Sequence, residues 1–177
     1  MKTLGLAAAA LLPLLLQGCD TGWLPQRRAA AVGLGAEQRL EPALSGDGRL
    51  LASILESNGR RNLVLQDQAS GRVLPLRHLR GHQPHRGPAL SWNGRYVALL
   101  MQQGNQQVAV IEDRLRGQLL RVPPPPGSSV EGLSLAPDGQ RLALQVLQNG
   151  QQRVQLFELG GLLEPDHPGG RMTPNPP

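Results

Sequence analysis

The segment at residues 42–54, PALSGDGRLLASI, returns at residues 88–100 as PALSWNGRYVALL and at residues 133–145 as LSLAPDGQRLALQ. The turn glycines Gly48, Gly94 and Gly139 stand 46 and then 45 residues apart. Self-similarity at ~40–45 residues is the spacing of propeller blades built from four strands each. A chain that repeats itself at this interval cannot bury one unit alone; it must stack its units face to face.

Each repeat carries the same punctuation. A first strand ends at Ser45, Ser91 or Ala136, and a tight turn follows at Asp47-Gly48, Asn93-Gly94 and Asp138-Gly139. Asp-Gly and Asn-Gly are strong hairpin signals, because Gly accepts positive φ and Asp or Asn tolerates it. Second strands are expected at 49–55, 95–101 and 140–147, with Ala52, Ala98 and Ala143 in one register. A second turn comes at Asn58-Gly59, Gly104-Asn105 and Asn149-Gly150, and third strands at 62–66, 107–111 and 153–157. Outer strands are expected at 72–76, 118–122 and, weakly, at Leu162-Leu163. Short Val- and Leu-rich strands with turns every 8–12 residues imply an all-β fold. The reading is three four-stranded propeller-type blades at 42–87, 88–131 and 132–163: a partial β-propeller with no large helix after the amino-terminal segment.

The pattern resembles the repeat of TolB-type propellers of the bacterial envelope: a strand ending in S-P-D-G, a basic residue, an apolar strand with Ala, a turn and a third apolar strand. Residues 136–143, APDGQRLA, are the best copy; 91–98, SWNGRYVA, and 45–52, SGDGRLLA, are looser ones. The resemblance covers residues 42–163. It implies a propeller and an envelope location, whereas such rings usually close with six or more blades and this chain has three.

The amino terminus reads as an export signal. Met1 and Lys2 precede an apolar run at residues 4–16, too short for the roughly 20 residues that span a bilayer but the right length for a secretory h-region. Leu16-Gln17-Gly18-Cys19 resembles the lipobox of bacterial lipoproteins, which implies cleavage after Gly18 and lipidation of Cys19, the single cysteine of the chain. Residues 1–18 are then a signal peptide and 19–41 a lipidated tether holding the blades off the membrane. Two or more acyl chains anchor a protein stably. Asp20 tilts the expectation toward the inner over the outer membrane, on its periplasmic face. Residues 164–177, rich in Pro and Gly, are expected to be a disordered tail.

Composition narrows the function. Without residues 1–18 there remain 17 Arg against 13 acidic side chains. The arginines are scattered and only four aromatic residues exist to stack bases, so nucleic acid is not the expected partner. No G-x-S-x-G, H-E-x-x-H or phosphate-cradling Gly loop occurs, and no nucleophile stands beside a base and an orienting acid. The expectation is a non-enzymatic protein-interaction or scaffold module without a cofactor. A glycan- or peptidoglycan-binding propeller is the alternative, weakened by the scarcity of aromatics.

The most distinctive surface stretch is LRHLRGHQPHRG, with His78, His82 and His85 interleaved with Arg77, Arg80 and Arg86. Imidazoles at this spacing ligate metals, but the arginines oppose a cation and the loop has no carboxylate, so no metal is expected. These six residues are instead the expected contact for an acidic partner or an anionic polymer. Asp47, Asn93 and Asp138 stand on separate blades, so turn chemistry, not calcium, explains them. The prolines at 123–126 read as a rigid connector between blades two and three. Expected partners are membrane lipid through Cys19, an envelope protein, and a second copy closing a six-bladed ring.

Overall fold

The computed structural model of the protein describes residues 34, 36–81 and 83–169. Within them lie eleven strands and no helix. The first antiparallel sheet runs, in spatial order, β1 (Arg39–Leu44), β2 (Leu50–Ser57), β3 (Arg60–Asp67) and β4 (Val73–Leu74). The second runs β5 (His85–Leu90), β6 (Tyr96–Gln103), β7 (Gln106–Asp113) and β8 (Gln118–Val122). The third has β9 (Ser128–Leu135), β10 (Arg141–Gln148) and β11 (Gln151–Glu158). Each sheet is a meander joined by short turns, as expected of a blade. Asn58-Gly59 and Asn149-Gly150 have positive φ at both residues, the geometry whose twist suits two-residue hairpins.

The inner strands begin earlier than the repeats imply: β1 at Arg39, β5 at His85 and β9 at Ser128. The first two carry a bulge at the same repeat position, between Leu40 and Ala43 and between Arg86 and Ala89. Glu41 and Gly87 sit in these bulges at φ 50° and 59°, and the Gly87 N–H donates to the Glu41 carboxylate, tying one inner strand to the next. The expected polyproline connector precedes β9, and Ser128 donates back to the Pro125 carbonyl at 2.7 Å.

Two cores lie between the three sheets. Ala52, Ile54, Leu63 and Leu65 of blade one meet Val97, Leu99, Met101 and Val110 of blade two. Tyr96, Ala98, Leu100, Ala109 and Ile111 on the other face of blade two meet Leu142, Leu144 and Val146 of blade three. Blade two is therefore buried on both faces, and β6 reads as an unbroken apolar run, YVALLM. In β10 apolar and polar residues alternate more, and Gln145 occupies the register of Ile54 and Leu100. On that same face Val154 is 73% and Leu156 61% exposed, whereas their counterparts Leu63, Leu65, Ala109 and Ile111 are buried.

The fourth strand expected at Leu162-Leu163 does not form. The Leu159 carbonyl accepts both the Leu162 and Leu163 N–H groups, at 2.8 and 2.9 Å, and closes a turn. With its N–H groups spent in that turn, the segment cannot run along β11. The chain crosses instead to blade two as a strap. The expectation of a disordered tail therefore fails for residues 164–169: Asp166 is buried and hydrogen-bonded. Residues 170–177 lie outside the described residues, as do Leu16, Gln17, Gly18, Cys19 and His82.

Candidate functional site

The repeated turns form a continuous rail along one end of the blades. The Gly46 and Asp47 N–H groups donate to the Ser91 and Trp92 carbonyls, and the Trp92 N–H to the Pro137 carbonyl. Within each turn the acid organises its own loop: the Asp47 carboxylate accepts from the Ser45 hydroxyl (2.6 Å) and the Arg49 N–H (3.0 Å), and Asp138 accepts from the Gln140 N–H. Blade two has Asn93 at this position, and its side-chain amide does not organise its own loop but donates outward, to Asp166 and to the His167 carbonyl. The strap supplies the carboxylate. Asp166 accepts from the Ser91 hydroxyl (2.6 Å), the Asn93 N–H (2.8 Å) and the Asn93 side-chain amide (2.8 Å), while its own N–H donates to the Asp138 carbonyl. The six expected turn residues, Asp47, Gly48, Asn93, Gly94, Asp138 and Gly139, are thus structural joints.

Beside the rail, Arg95 is buried between Asp113 (2.9 Å) and Glu164 of the strap (3.0 Å). Its guanidinium lies 5.0 Å over the Tyr96 ring. Burial works against the Arg95 charge, but the hydrogen bonds it donates to Asp113 and Glu164 more than offset it and hold its pKa above the usual arginine value. Burial pushes the Tyr96 phenol up to about 12, and its hydroxyl donates to the Glu164 carbonyl.

The connection between blades one and two, residues 75–84, holds the expected contact residues, but not as one solvated loop. Arg77, His78 and Arg80 are exposed. The connection is pinned from beneath by Glu112 of β7, a buried carboxylate that accepts the N–H groups of Arg77 (2.8 Å), His78 (2.7 Å) and Leu79 (3.0 Å). The His78 Nε2 donates to the Gly117 carbonyl at 2.7 Å. Arg86 lies in β5 and reaches the Glu131 carbonyl of blade three at 3.1 Å.

His85 is not an exposed contact; that expectation is corrected. It stands in β5, 1% exposed, with its Nδ1 accepting the Leu63 N–H at 3.1 Å. The reason is that β4 ends at Leu74, before it can pair with Leu63 across the Leu65–Leu74 register. An imidazole from the next blade satisfies the orphaned N–H, as buried backbone donors require. His78 and His85 are therefore each committed to a backbone group, and among the described residues no three His, Cys, Asp or Glu side chains converge as metal ligands would.

Burial lowers the His85 pKa below its usual 6.5. The unfolded chain then binds a proton that the folded chain resists, so this residue's contribution is full above pH 6.5 and is lost as pH falls below it. Urea midpoints measured across that range are expected to fall toward acid in the parent and to fall less in His85→Gln. Parallel pH curves would contradict this assignment.

Sequence reasoning passed over Glu112, Asp166 and the trio Arg95, Asp113 and Glu164. For Asp166 a signal existed: Asn93 breaks the Asp pattern of its sister turns and marks the turn that is held differently. Glu112 follows an apolar run, VAVI, and reads as the polar end of a strand.

Three stacked meanders with interlocking turns define a segment of a β-propeller. Among solved structures, the protein is similar to TolB from Acinetobacter baumannii, at 18% identity and a TM-score of 0.54 over 68% of this chain and 30% of that one. It is similar also to a putative TolB from Agrobacterium tumefaciens, at 17% identity and a TM-score of 0.59 over 72% of this chain and 48% of that one. A third similar structure is the β-propeller domain of the Trilobed protease from Pyrococcus furiosus, at 13% identity and a TM-score of 0.54 over 74% of this chain and 41% of that one. The fold is TolB-like, as the repeat implied, and the chain spans less than half the length of each of these proteins. No protein-family model and no curated protein matches it.

Proposed function

We propose that the protein is an envelope lipoprotein whose propeller segment works as a non-enzymatic interaction and scaffold module, tethered to the membrane through Cys19. The lipobox-like Leu16-Gln17-Gly18-Cys19 supports the tether. The TolB-like fold is consistent with a periplasmic setting. A binding rather than catalytic role is supported by how the buried acids are used: Glu112, Asp113 and Asp166 all hold the fold together.

The observation that carries the interaction reading is the outer face of blade three. Val154 and Leu156 are exposed at register positions that are buried in both other blades. A sheet face of this kind invites a further blade. The occupant is a second copy, whose blade one stacks on blade three and whose blade three stacks on blade one, closing six blades about a two-fold axis.

The test is light scattering over a dilution series of the chain lacking residues 1–18, with Cys19→Ser. A dimer that Leu156→Arg converts to monomer is the expected result. A monomer at every concentration would remove the second copy and direct the search to crosslinked partners in membranes. For the tether, Cys19→Ser in the full chain is expected to shift the protein from the membrane to the soluble fraction; unchanged membrane association would overturn it.

A further inference from the structure

A cavity of about 400 Å³ opens between the blade-one-to-two connection and strands β6 and β8. Its polar lining is His78, Arg80, Gln83, His85 and Arg121. Met101 and Leu119 supply the apolar part. Among the described residues no carboxylate lines it. Glu112, beneath the connection, is consumed by the three N–H groups of Arg77, His78 and Leu79.

Three features make this more than a basic surface. The first is His85. Its Nδ1 accepts the Leu63 N–H, so the neutral ring must carry its proton on Nε2. This fixed donor belongs to a side chain that is 1% exposed, lines the cavity, and has no acceptor for Nε2 among the described residues. A donor that has no protein acceptor and belongs to a residue lining a polar cavity takes its acceptor from the cavity. The second is the pair Arg80 and Arg121, neither of which forms an ion pair among the described residues. The third is rigidity. Arg80 follows directly on the three residues clamped by Glu112, and Arg121 stands in β8, so both stems start from fixed backbone.

We propose that this cavity binds a small ligand through an anionic oxygen group, a carboxylate or a phosphate, held between the Arg80 and Arg121 guanidiniums and received at its base by the His85 Nε2–H. Guanidinium forks fit both oxyanions, and the volume falls within the ~300–1,000 Å³ of small-molecule sites. Binding here goes beyond the scaffold reading and does not depend on it: the cavity lies inside one chain, away from the blade-three face that a second copy would cover.

The experiment is titration of inorganic phosphate and, separately, succinate into the full chain in detergent micelles. Calorimetry reads affinity, and NMR of ¹⁵N-histidine-labelled protein reads the His85 Nε2–H. Saturable binding of either anion, with a downfield shift of that proton, is expected. Preference for phosphate assigns a phosphorylated ligand, and preference for succinate a carboxylate one. Arg80→Gln and Arg121→Gln change exposed side chains, so the fold is retained, and each is expected to weaken binding about tenfold, one charge-assisted contact's worth. Arg72→Gln, between β3 and β4 and outside the cavity, is expected to leave it unchanged. Saturation by neither anion overturns the proposal. So does binding that leaves the His85 proton unmoved, or that weakens equally in Arg72→Gln.

Discussion

Gly139→Ala is expected to destabilise the protein by about 3 kcal/mol, whereas Gly48→Ala, the same substitution one end of the repeat away, costs about 1 kcal/mol. Both glycines sit at positive φ, +75° and +70°, so both substitutions carry the left-handed penalty of a Cβ. Only Gly139 has a neighbour. A Cβ there would lie 2.8 Å from Cε2 of Tyr96 and closer still to Cδ2, whereas at Gly48 nothing lies within 4 Å. Tyr96 is fully buried and its hydroxyl is fixed to the Glu164 carbonyl, so the ring cannot step aside cheaply. The geometry recurs: Gly94 receives Leu50 of blade one as Gly139 receives Tyr96 of blade two. The turn glycines of blades two and three are thus sockets for a side chain of the blade before. Urea unfolding of the two variants beside the parent decides the matter; equal losses would mean that backbone strain alone explains the repeat.

Glu112→Ala is expected to cost about 3–5 kcal/mol, as the loss of a buried charged acceptor does. Three N–H groups, those of Arg77, His78 and Leu79, would lose their only protein acceptor at once. The last of these belongs to a residue buried in the first core. Glu112→Gln keeps one oxygen and turns a donor toward the N–H groups, so it is expected to fall between Ala and the parent. The loss has a second readout. Freed from Glu112, the connection no longer fixes the stem of Arg80, and amide exchange at residues 77–79 should accelerate well beyond the global loss of stability. An Ala variant within about 1 kcal/mol of the parent would mean that water serves these donors as well as the carboxylate does.

What the chain announced about itself followed the range of the interactions. Turns are local, so Asp47-Gly48, Asn93-Gly94 and Asp138-Gly139 marked the three blades correctly, and strand alternation did the rest. Leu162-Leu163 looked like a strand because it is apolar, but its N–H groups were already taken by Leu159, which composition does not show. His85 read as a loop residue because its role, capping Leu63, depends on β4 stopping early. Asp166 and Ser91 lie 75 residues apart; no window along the sequence joins them. The expected export segment and the lipobox-like residues around Cys19 lie outside the described residues.

The strap also changes what kind of repeat protein this is. In an ideal solenoid every unit carries its own parts, and units can be duplicated or deleted like beads. Here blade two borrows its turn carboxylate from Asp166, beyond the end of blade three. A copy of blade two spliced in before blade three would take the borrowed acid for itself. The original turn would then be left with Ser91 and Asn93 unanswered. Blades two and three are therefore bound into one inheritable and one cooperative unit, and blade one, whose Ser45 has its own Asp47, is bound to blade two in turn through His85 and Glu112.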